Sequence, residues 1–268
     1  MPTCSLLVST YNWPEALRLC LLSISEQSVM PDEVIICDDG SREETAALIK
    51  SLEPVLKTKL LHVWQPDDGF QLARIRNKGF AASKAAYFIQ IDGDLILHKH
   101  FVKDHLQFAK KHHFTTGSRV LLSPQTSAAL IEHRSLDISK YSTNDRNFLN
   151  SFHFSSLHNF LAKRYKHKGK YKYYVKGCNM AFWKEDIIAV NGYNEAFTGW
   201  GREDSEIAIR LMNAGVEKQF LKFGGICYHL YHKEASREME QKNIEMMQAA
   251  VTEKLTRASK GIDQYLIF

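Results

Sequence analysis

Long apolar runs are missing from this sequence of 268 residues: none approaches the ~20 consecutive apolar positions that a bilayer-spanning helix requires. The opening residues, MPTCSLLVSTYNW, carry no basic segment and no cleavage site of the secretory kind, so no leader is expected. Cysteine is scarce and unpatterned. The five thiols, Cys4, Cys20, Cys37, Cys178 and Cys227, are scattered, odd in number and free of CxxC spacing. That argues against a disulfide framework or a structural zinc and fits free thiols in a reducing cytosol. No GxGxxG follows the first apolar run and no GxxxxGKS/T occurs, so the dinucleotide fingerprint and the P-loop are both absent. Internal repeats and low-complexity linkers are absent as well.

What is present is an ordinary globular composition, 44% hydrophobic and 24% charged, enough for one large α/β domain or a domain with an appendage. The net charge of +5 is uneven. Lys163 to Lys176, KRYKHKGKYKYYVK, holds seven Lys or Arg and no acid. Such a run suits an anionic partner, phospholipid head groups or a phosphorylated acceptor, or equally a solvated loop.

Apolar runs and helical periodicity alternate along the first third. CSLLVS opens the chain as a buried strand, and a helix follows from Trp13-Pro14-Glu15 with Asn12 as its cap. Val34 to Cys37 is a second strand, and Ser41 with Glu44 forms a capping-box pattern for a helix over 42–51. A third strand spans Leu60 to Trp64, a helix spans Gln71 to Lys84, and YFIQIDGDLIL forms a fourth buried run from Tyr87 to Leu97. This alternation is the pattern of a parallel sheet with helices on both faces. Beyond it, helices are expected at His98 to His113, Glu203 to Ala214 and Glu234 to about Ser259. Strands are expected at Val120 to Leu122, Met180 to Trp183 and Gly225 to Tyr231. The span from about Ser123 to Tyr174 is polar and weakly periodic, and is expected to be loops and short helices.

Polar clusters follow the strands: Thr10-Tyr11-Asn12, Asp38-Asp39 and Asp92-Gly93-Asp94. In a parallel sheet they share one edge and line one crevice. Asp38 or Asp39 suits the N–H of a base or a ribose hydroxyl. Asp92 and Asp94, separated by a glycine, suit a divalent cation that also grips phosphate oxygens. Arg74 and Arg76 add positive charge nearby or are surface arginines. Gly199-Trp200-Gly201-Arg202-Glu203-Asp204 sets an indole between glycines, a platform for a sugar ring, beside carboxylates that either take a proton from a hydroxyl or merely cap a helix. The glycines also suggest a hinge. His229 and His232 follow in CYHLYH. On a continued strand the two point to opposite faces, so one of them is expected in the crevice, where a neutral imidazole completes an aspartate metal site of the kind that suits Mn²⁺.

Taken together, STYNWPEAL, VIICDDGSREET, GFQLARIRNKGF, IQIDGDL, GCNMAFWK and GWGREDSE, in that order, resemble an inverting family 2 glycosyltransferase with the GT-A fold over about residues 3 to 235. GWGREDSE and GFQLARIRNKGF bring the chain close to the galactosyltransferase-like branch, with its bacterial chondroitin polymerase domains, and overall it looks like the bacterial enzymes that build lipopolysaccharide or capsule. The resemblance implies one GT-A domain over 1–268, α/β, with a single Rossmann-like, mostly parallel sheet. Residues 1–97 would be the nucleotide-binding half, 98–235 an irregular acceptor-side half and 236–268 a C-terminal helical tail. It implies a UDP-sugar donor with Mn²⁺ or Mg²⁺ as cofactor, and a glycan or glycolipid acceptor, with no nucleic-acid partner.

By that resemblance Thr10, Tyr11, Asn12, Asp38 and Asp39 hold uridine, and Arg76 with Asn77 lies under the donor, Arg74 beside them. Asp92 and Gly93 sit near the ribose, with Asp94, Asp92 and His229 or His232 on the metal. Asp204 is the catalytic base, Glu203 its neighbour toward the sugar hydroxyls, and Trp200 shapes the sugar site. The chain is then expected in the cytoplasm, peripheral to the inner face of the membrane through 163–176. The span 123–176 matches no family pattern. Two rivals stand beside this reading. One is a non-catalytic binding protein that uses the basic run on a membrane or nucleic acid. The other is a sugar nucleotidyltransferase, which calls for a glycine-rich basic loop that STYNWPEAL does not supply.

Overall fold

The computed structural model describes residues 1–138, 146–154, 157–233 and 236–266. Parts of the expected irregular span, 139–145 and 155–156, and the first two residues of the expected final helix, Glu234 and Ala235, lie outside these. The strands are β1 (Cys4–Thr10), β2 (Glu33–Asp38), β3 (Lys59–Trp64), β4 (Tyr87–Asp92), β5 (Leu95–Leu97), β6 (His113–Thr116), β7 (Val120–Leu121), β8 (Asn179–Trp183), β9 (Glu217–Phe220) and β10 (Cys227–His229). The helices are α1 (Pro14–Ser25), α2 (Glu43–Leu52), α3 (Leu72–Ala82), α4 (Phe101–Phe108), α5 (Pro124–Glu132), α6 (His158–Leu161), α7 (Lys184–Ala189), α8 (Glu203–Asn213) and α9 (Glu240–Thr252).

The main sheet has seven strands in the order β3-β2-β1-β4-β8-β6-β9. Its first four strands are mutually parallel, while β8 runs antiparallel to both β4 and β6. Successive side chains of a strand enter opposite faces. Leu6, Val8, Val34, Ile36, Ile89 and Ile91 pack with α1 and α2 on one face. Leu7, Ile35, Cys37, Phe88 and Phe182 pack with α3, α7 and α8 on the other. Burial on both faces explains why β1, β2 and β4 are continuous apolar runs without alternation. The short sheet β5-β10-β7 lies beside the carboxyl end of β4, with β10 antiparallel to β5 and parallel to β7. No helix among the described residues is long and apolar enough to cross a membrane.

Several boundaries differ from the sequence expectations. The Tyr87 to Leu97 run is two strands, because Gly93 turns the chain against β1. Its N–H donates to the Ser9 carbonyl at 2.7 Å, and a Cβ there would stand 3.0 Å from that oxygen. The expected helix over 98–113 shrinks to α4 and yields its last residue to β6. Strands β6 (HFTT) and β9 (EKQF) are polar yet buried, since their side chains find partners: Gln219 Nε2 donates to the Phe108 carbonyl at 2.8 Å and to Thr115 Oγ1 at 2.9 Å. The final helix begins only at Glu240. Neither proposed cap forms. Asn12 stands at φ 45° and its Oδ1 accepts from the Arg42 N–H at 2.9 Å, so it serves the start of α2 instead of α1. Ser41 Oγ accepts from the Asn12 N–H at 2.8 Å.

Candidate active site

The parallel strands deliver their polar ends to one crevice, and one guanidinium joins the acids that meet there. Arg76, on α3, is 1% exposed. Its Nη2 donates to Asp92 Oδ1 at 3.0 Å, its Nη1 to Asp204 Oδ1 at 2.9 Å and its Nε to Ser9 Oγ at 3.2 Å, with Glu203 Oε1 3.8 Å from Nη1. The planar fork sends rigidly spaced donors to these oxygens in fixed directions, where a lysine offers a single point charge. Arg74, two residues earlier on the helix, turns elsewhere, toward Asp68 at 4.0 Å. Asn77 is fully buried and spends its amide on the Tyr193 backbone and Glu195 Oε1, at 2.8 to 2.9 Å.

Asp204 and Glu203 occupy the first turn of α8, where the helix dipole favours negative charge. Arg202 precedes them at φ 78°, just after Gly199 and Gly201, which also have positive φ. Asp204 Oδ1 is fixed by Arg76 and lies 2.9 Å from the Tyr193 hydroxyl, itself 3.0 Å from Gln90 Oε1. Its other oxygen, Oδ2, has no hydrogen bond among the described residues and faces Gly177, where a Cβ would overlap the carboxylate. Glu203 is nearly buried and its Oε2 has no partner. Burial, and then the Asp204 charge, push Glu203 up to about 8 against the pull of Arg76. Burial likewise lifts Asp92 to about 6, opposed by Arg76.

Asp94 meets both histidines. His229 Nε2 stands 3.5 Å and His232 Nε2 3.2 Å from Asp94 Oδ2. The expectation that only one would face the crevice fails because β10 stops at His229; the Leu230 N–H then bonds the Asp94 carbonyl at 3.0 Å and the chain turns back. One oxygen of Asp94 and one nitrogen of each histidine lie within 4.8 Å of one another. The Nδ1 atoms contact the Leu230 and Lys233 carbonyls at 2.9 and 2.7 Å. A carbonyl only accepts, so each Nδ1 carries its proton and the neutral ring aims an Nε2 lone pair at a carboxylate. Two acceptors facing each other call for a cation between them. Without a metal a proton does this work: the Asp94 hydrogen bond pushes His232 up to about 9. Asp94 Oδ1 is buried with no partner. This donor set fits a divalent cation of the Mn²⁺ type. Asp92, expected as a further ligand, accepts from Arg76 through Oδ1 and is not part of this group of three.

At the β2 end, Asp38 accepts from the Ser41 N–H at 2.8 Å and lies 2.9 Å from His62 Nε2. Asp39 accepts from Gln65 Nε2 at 2.6 Å and the Gln71 N–H at 2.8 Å, and burial raises it to about 6. Thr10 is buried, whereas the exposed Tyr11 gives its hydroxyl to Asp67 at 3.0 Å. Trp200 lies under the Arg237 guanidinium, 5.0 Å from the ring centroid. The expected hinge around it is held from two sides, by Gly199 N–H to the Phe70 carbonyl at 3.0 Å and by Asn243 Nδ2 to the Thr198 carbonyl at 3.2 Å. Tyr193, Gln90, Gly177 and Gln65 escaped the sequence reading. Gln90 left a signal, a polar residue inside an apolar strand, and Tyr193 lies in NGYNEAFTGWG, a stretch rich in glycines and aromatics.

Comparison with known proteins agrees with this architecture. The chain is 26% identical over 250 residues to chondroitin synthase of Escherichia coli, covering 84% of this chain and 34% of that protein, so it spans about a third of that relative. The solved S. aureus TarS fragment 1–349 in complex with UDP-GlcNAc superposes with a TM-score of 0.63 at 12% identity, over 98% of this chain and 69% of that one. The mannosyltransferase PcManGT from Pyrobaculum calidifontis, in complex with GDP-Man and Mn²⁺, does so at 0.62 and 16%, over 94% and 64%. These neighbours establish the GT-A fold. Residues 157–233 match the model described as N-terminal domain of galactosyltransferase. Residues 5–169, more than half of the sequence, match the model for glycosyl transferase family 2, and to that family the chain belongs.

Proposed function

We propose that the protein is an inverting transferase that moves a hexose or N-acetylhexosamine from a UDP-sugar to a hydroxyl of a growing bacterial surface glycan, such as lipopolysaccharide or capsule. The observation that carries this reading is the division of labour within Asp204: Oδ1 is clamped by Arg76 while Oδ2 is left open at the crevice. Asp204 Oδ2 takes the proton of the acceptor hydroxyl, whose oxygen attacks the anomeric carbon from the face opposite UDP. The carbon–oxygen bond to the diphosphate breaks, UDP leaves with the electron pair, and the configuration inverts. Glu203, protonated at neutral pH, offers a hydrogen bond to a sugar hydroxyl. Asp94, His229 and His232 would hold the divalent cation, which when bound supplies neutralisation of the leaving diphosphate. Thr10, Tyr11 and Asp39 line the base and ribose end, with Asp38 bracing it through Ser41 and His62. Residues 1–97 then serve the nucleotide and 98–235 the acceptor.

A peripheral membrane position goes with this reading. Phe148, Leu149, Phe152, Phe154, Leu157 and Phe160 are each at least 40% exposed just ahead of the basic run 163–176. Aromatic side chains beside lysines suit an anionic lipid surface. Co-sedimentation with vesicles containing anionic lipid, reduced by Leu149→Ser with Phe160→Ser, is expected; equal sedimentation of the variant would remove the membrane from the account.

The transfer reading is tested by nucleotide release from UDP-, GDP- and dTDP-sugars with Mn²⁺, Mg²⁺ or EDTA. One UDP-sugar should turn over with metal, and Asp94→Ala should abolish it. Asp204→Asn should lower transfer roughly 10²–10⁴-fold while UDP still binds. Near wild-type turnover in Asp204→Asn, or a product of retained configuration, would refute the mechanism.

A further inference from the structure

Most deeply placed cations in this protein have partners that account for them. Arg76 has its acids, Arg210 makes two bonds to Glu206 at 2.7 and 2.8 Å, and the Lys218 ammonium donates to a ring of backbone carbonyls. Two cations near Asp204 do not fit this pattern. Arg119 precedes β7, whose Val120 and Leu121 lie opposite Tyr228 and His229 of β10. It therefore leaves the sheet next to the strand that supplies the metal-side histidine. Its guanidinium reaches to Cys178, Nη1 standing 3.5 Å from Sγ, a weak acceptor. Cys178 follows Gly177, the residue pressed against the Asp204 carboxylate.

On the other side of Gly177 is Lys176. Its N–H donates to Thr116 Oγ1 at 3.1 Å and its ammonium lies 5.1 Å from the Tyr174 ring centroid. Both side chains are half-buried, and neither has a carboxylate within 4.0 Å among the described residues. They also oppose each other: burial first, and the Arg119 charge second, hold Lys176 below the ordinary lysine value. Their nearest partners are a sulfur and a ring, and the carboxylates that act on them, Asp92 on Arg119 and Asp204 on Lys176, make no ion pair with either among the described residues, so an anion could still join the two cations.

We propose that Arg119 and Lys176 form an anion subsite for the acceptor, holding a carboxylate or phosphate borne by the glycan close to the hydroxyl that Asp204 deprotonates. The proposal rests on the reading of Asp204 as the base. The acceptor side is favoured over the donor diphosphate because Lys176 and Cys178 flank the glycine at Asp204 Oδ2, and because Asp94, His229 and His232 already supply a seat for the diphosphate's counter-ion. A guanidinium paired with an ammonium suits a charged oxygen group that a neutral sugar lacks. The subsite thus turns the enzyme toward acidic acceptors, a uronic acid or a phosphorylated sugar.

Binding is tested without turnover, by saturation-transfer NMR with methyl glucuronide, methyl glucoside 6-phosphate and plain methyl glucoside. Preference for the uronide identifies a carboxylate, preference for the 6-phosphate identifies a phosphate, and either supports the subsite. The preference should fall about tenfold or more in Arg119→Gln and in Lys176→Gln, and persist in part in Arg119→Lys, which keeps the charge and guards against misfolding. Equal signals from all three sugars, or an unchanged preference in both glutamine variants, would overturn it. So would weaker UDP binding in Arg119→Gln with the acidic-sugar preference intact, since that places the cation on the donor diphosphate. These readings stand whether or not the transfer assay succeeds. In that assay, if the donor is known, the acceptor KM should rise in both glutamine variants for an acidic acceptor and not for a neutral one.

Discussion

The two acidic pairs of the crevice, Asp92 with Asp94 and Glu203 with Asp204, are solutions to opposite problems. In the first, a glycine turn separates the carboxylates so that each has its own company, Arg76 for Asp92 and the two imidazoles for Asp94. In the second, consecutive residues at a helix start crowd toward the same guanidinium. One cation cannot serve both well, and the more deeply buried member, Glu203, keeps its proton. The separated pair is suited to holding charge, and the crowded pair to dividing into a proton donor and an acceptor.

Removing the shared cation should break the comparison most severely. Arg76→Met leaves Asp92 and Asp204 without their buried partner, and losing one member of such a group costs about 3–5 kcal/mol. Thermal unfolding should fall by on the order of 10 °C, with activity abolished. A variant that melts within a degree or two of the wild type would show that the acids do not depend on Arg76.

The separated pair is probed next. His229→Ala and His232→Ala should each weaken Mn²⁺ binding on the order of 10–100-fold, the scale reported for disturbing a metal site. Isothermal titration with the metal alone reads this directly. Unchanged affinity in one of the two would assign the ligand role to the other histidine.

The crowded pair is probed last. Folding raises Glu203 from its ordinary 4.5 to about 8, so between these values the folded chain binds a proton that the unfolded chain lacks. The stability this gives is fully present below 4.5 and is lost as the pH rises through 8. Glu203→Gln cannot lose a proton. Its melting temperature relative to the wild type should therefore climb between pH 5 and pH 8, by about 2–4 °C for each kcal/mol. A constant offset across that range would mean that Glu203 ionises normally.

How much of this was legible in the sequence follows from which residues advertise themselves. Strands β1, β2 and β4 are apolar because both faces are covered, and their polar tips follow in register, so the first third of the chain and its acids could be placed from the sequence alone. Strands β6 and β9 are buried with Thr, Lys and Gln inside, and only the partners of Gln219 and Lys218 make that affordable. His229 and His232 fall on opposite faces only of a strand that runs on to Tyr231, and β10 ends at His229. Arg76 was seen as one of two arginines, and nothing local to the helix says that one is a hub and the other is turned toward Asp68. Gly177 and Tyr193 matter for what they touch, across distances that spacing does not encode.

Arg76 has one more consequence. A single guanidinium contacts both Asp92 and Asp204, so a change of charge at either is felt at the other. Under the proposed transfer, a donor complex that alters the field around Asp92 would alter the readiness of Asp204 to take a proton. By thermodynamic reciprocity, whatever factor the loaded donor site contributed to acceptor binding, the acceptor would return to the donor. The two substrates would thus be coupled through the sharing of one side chain.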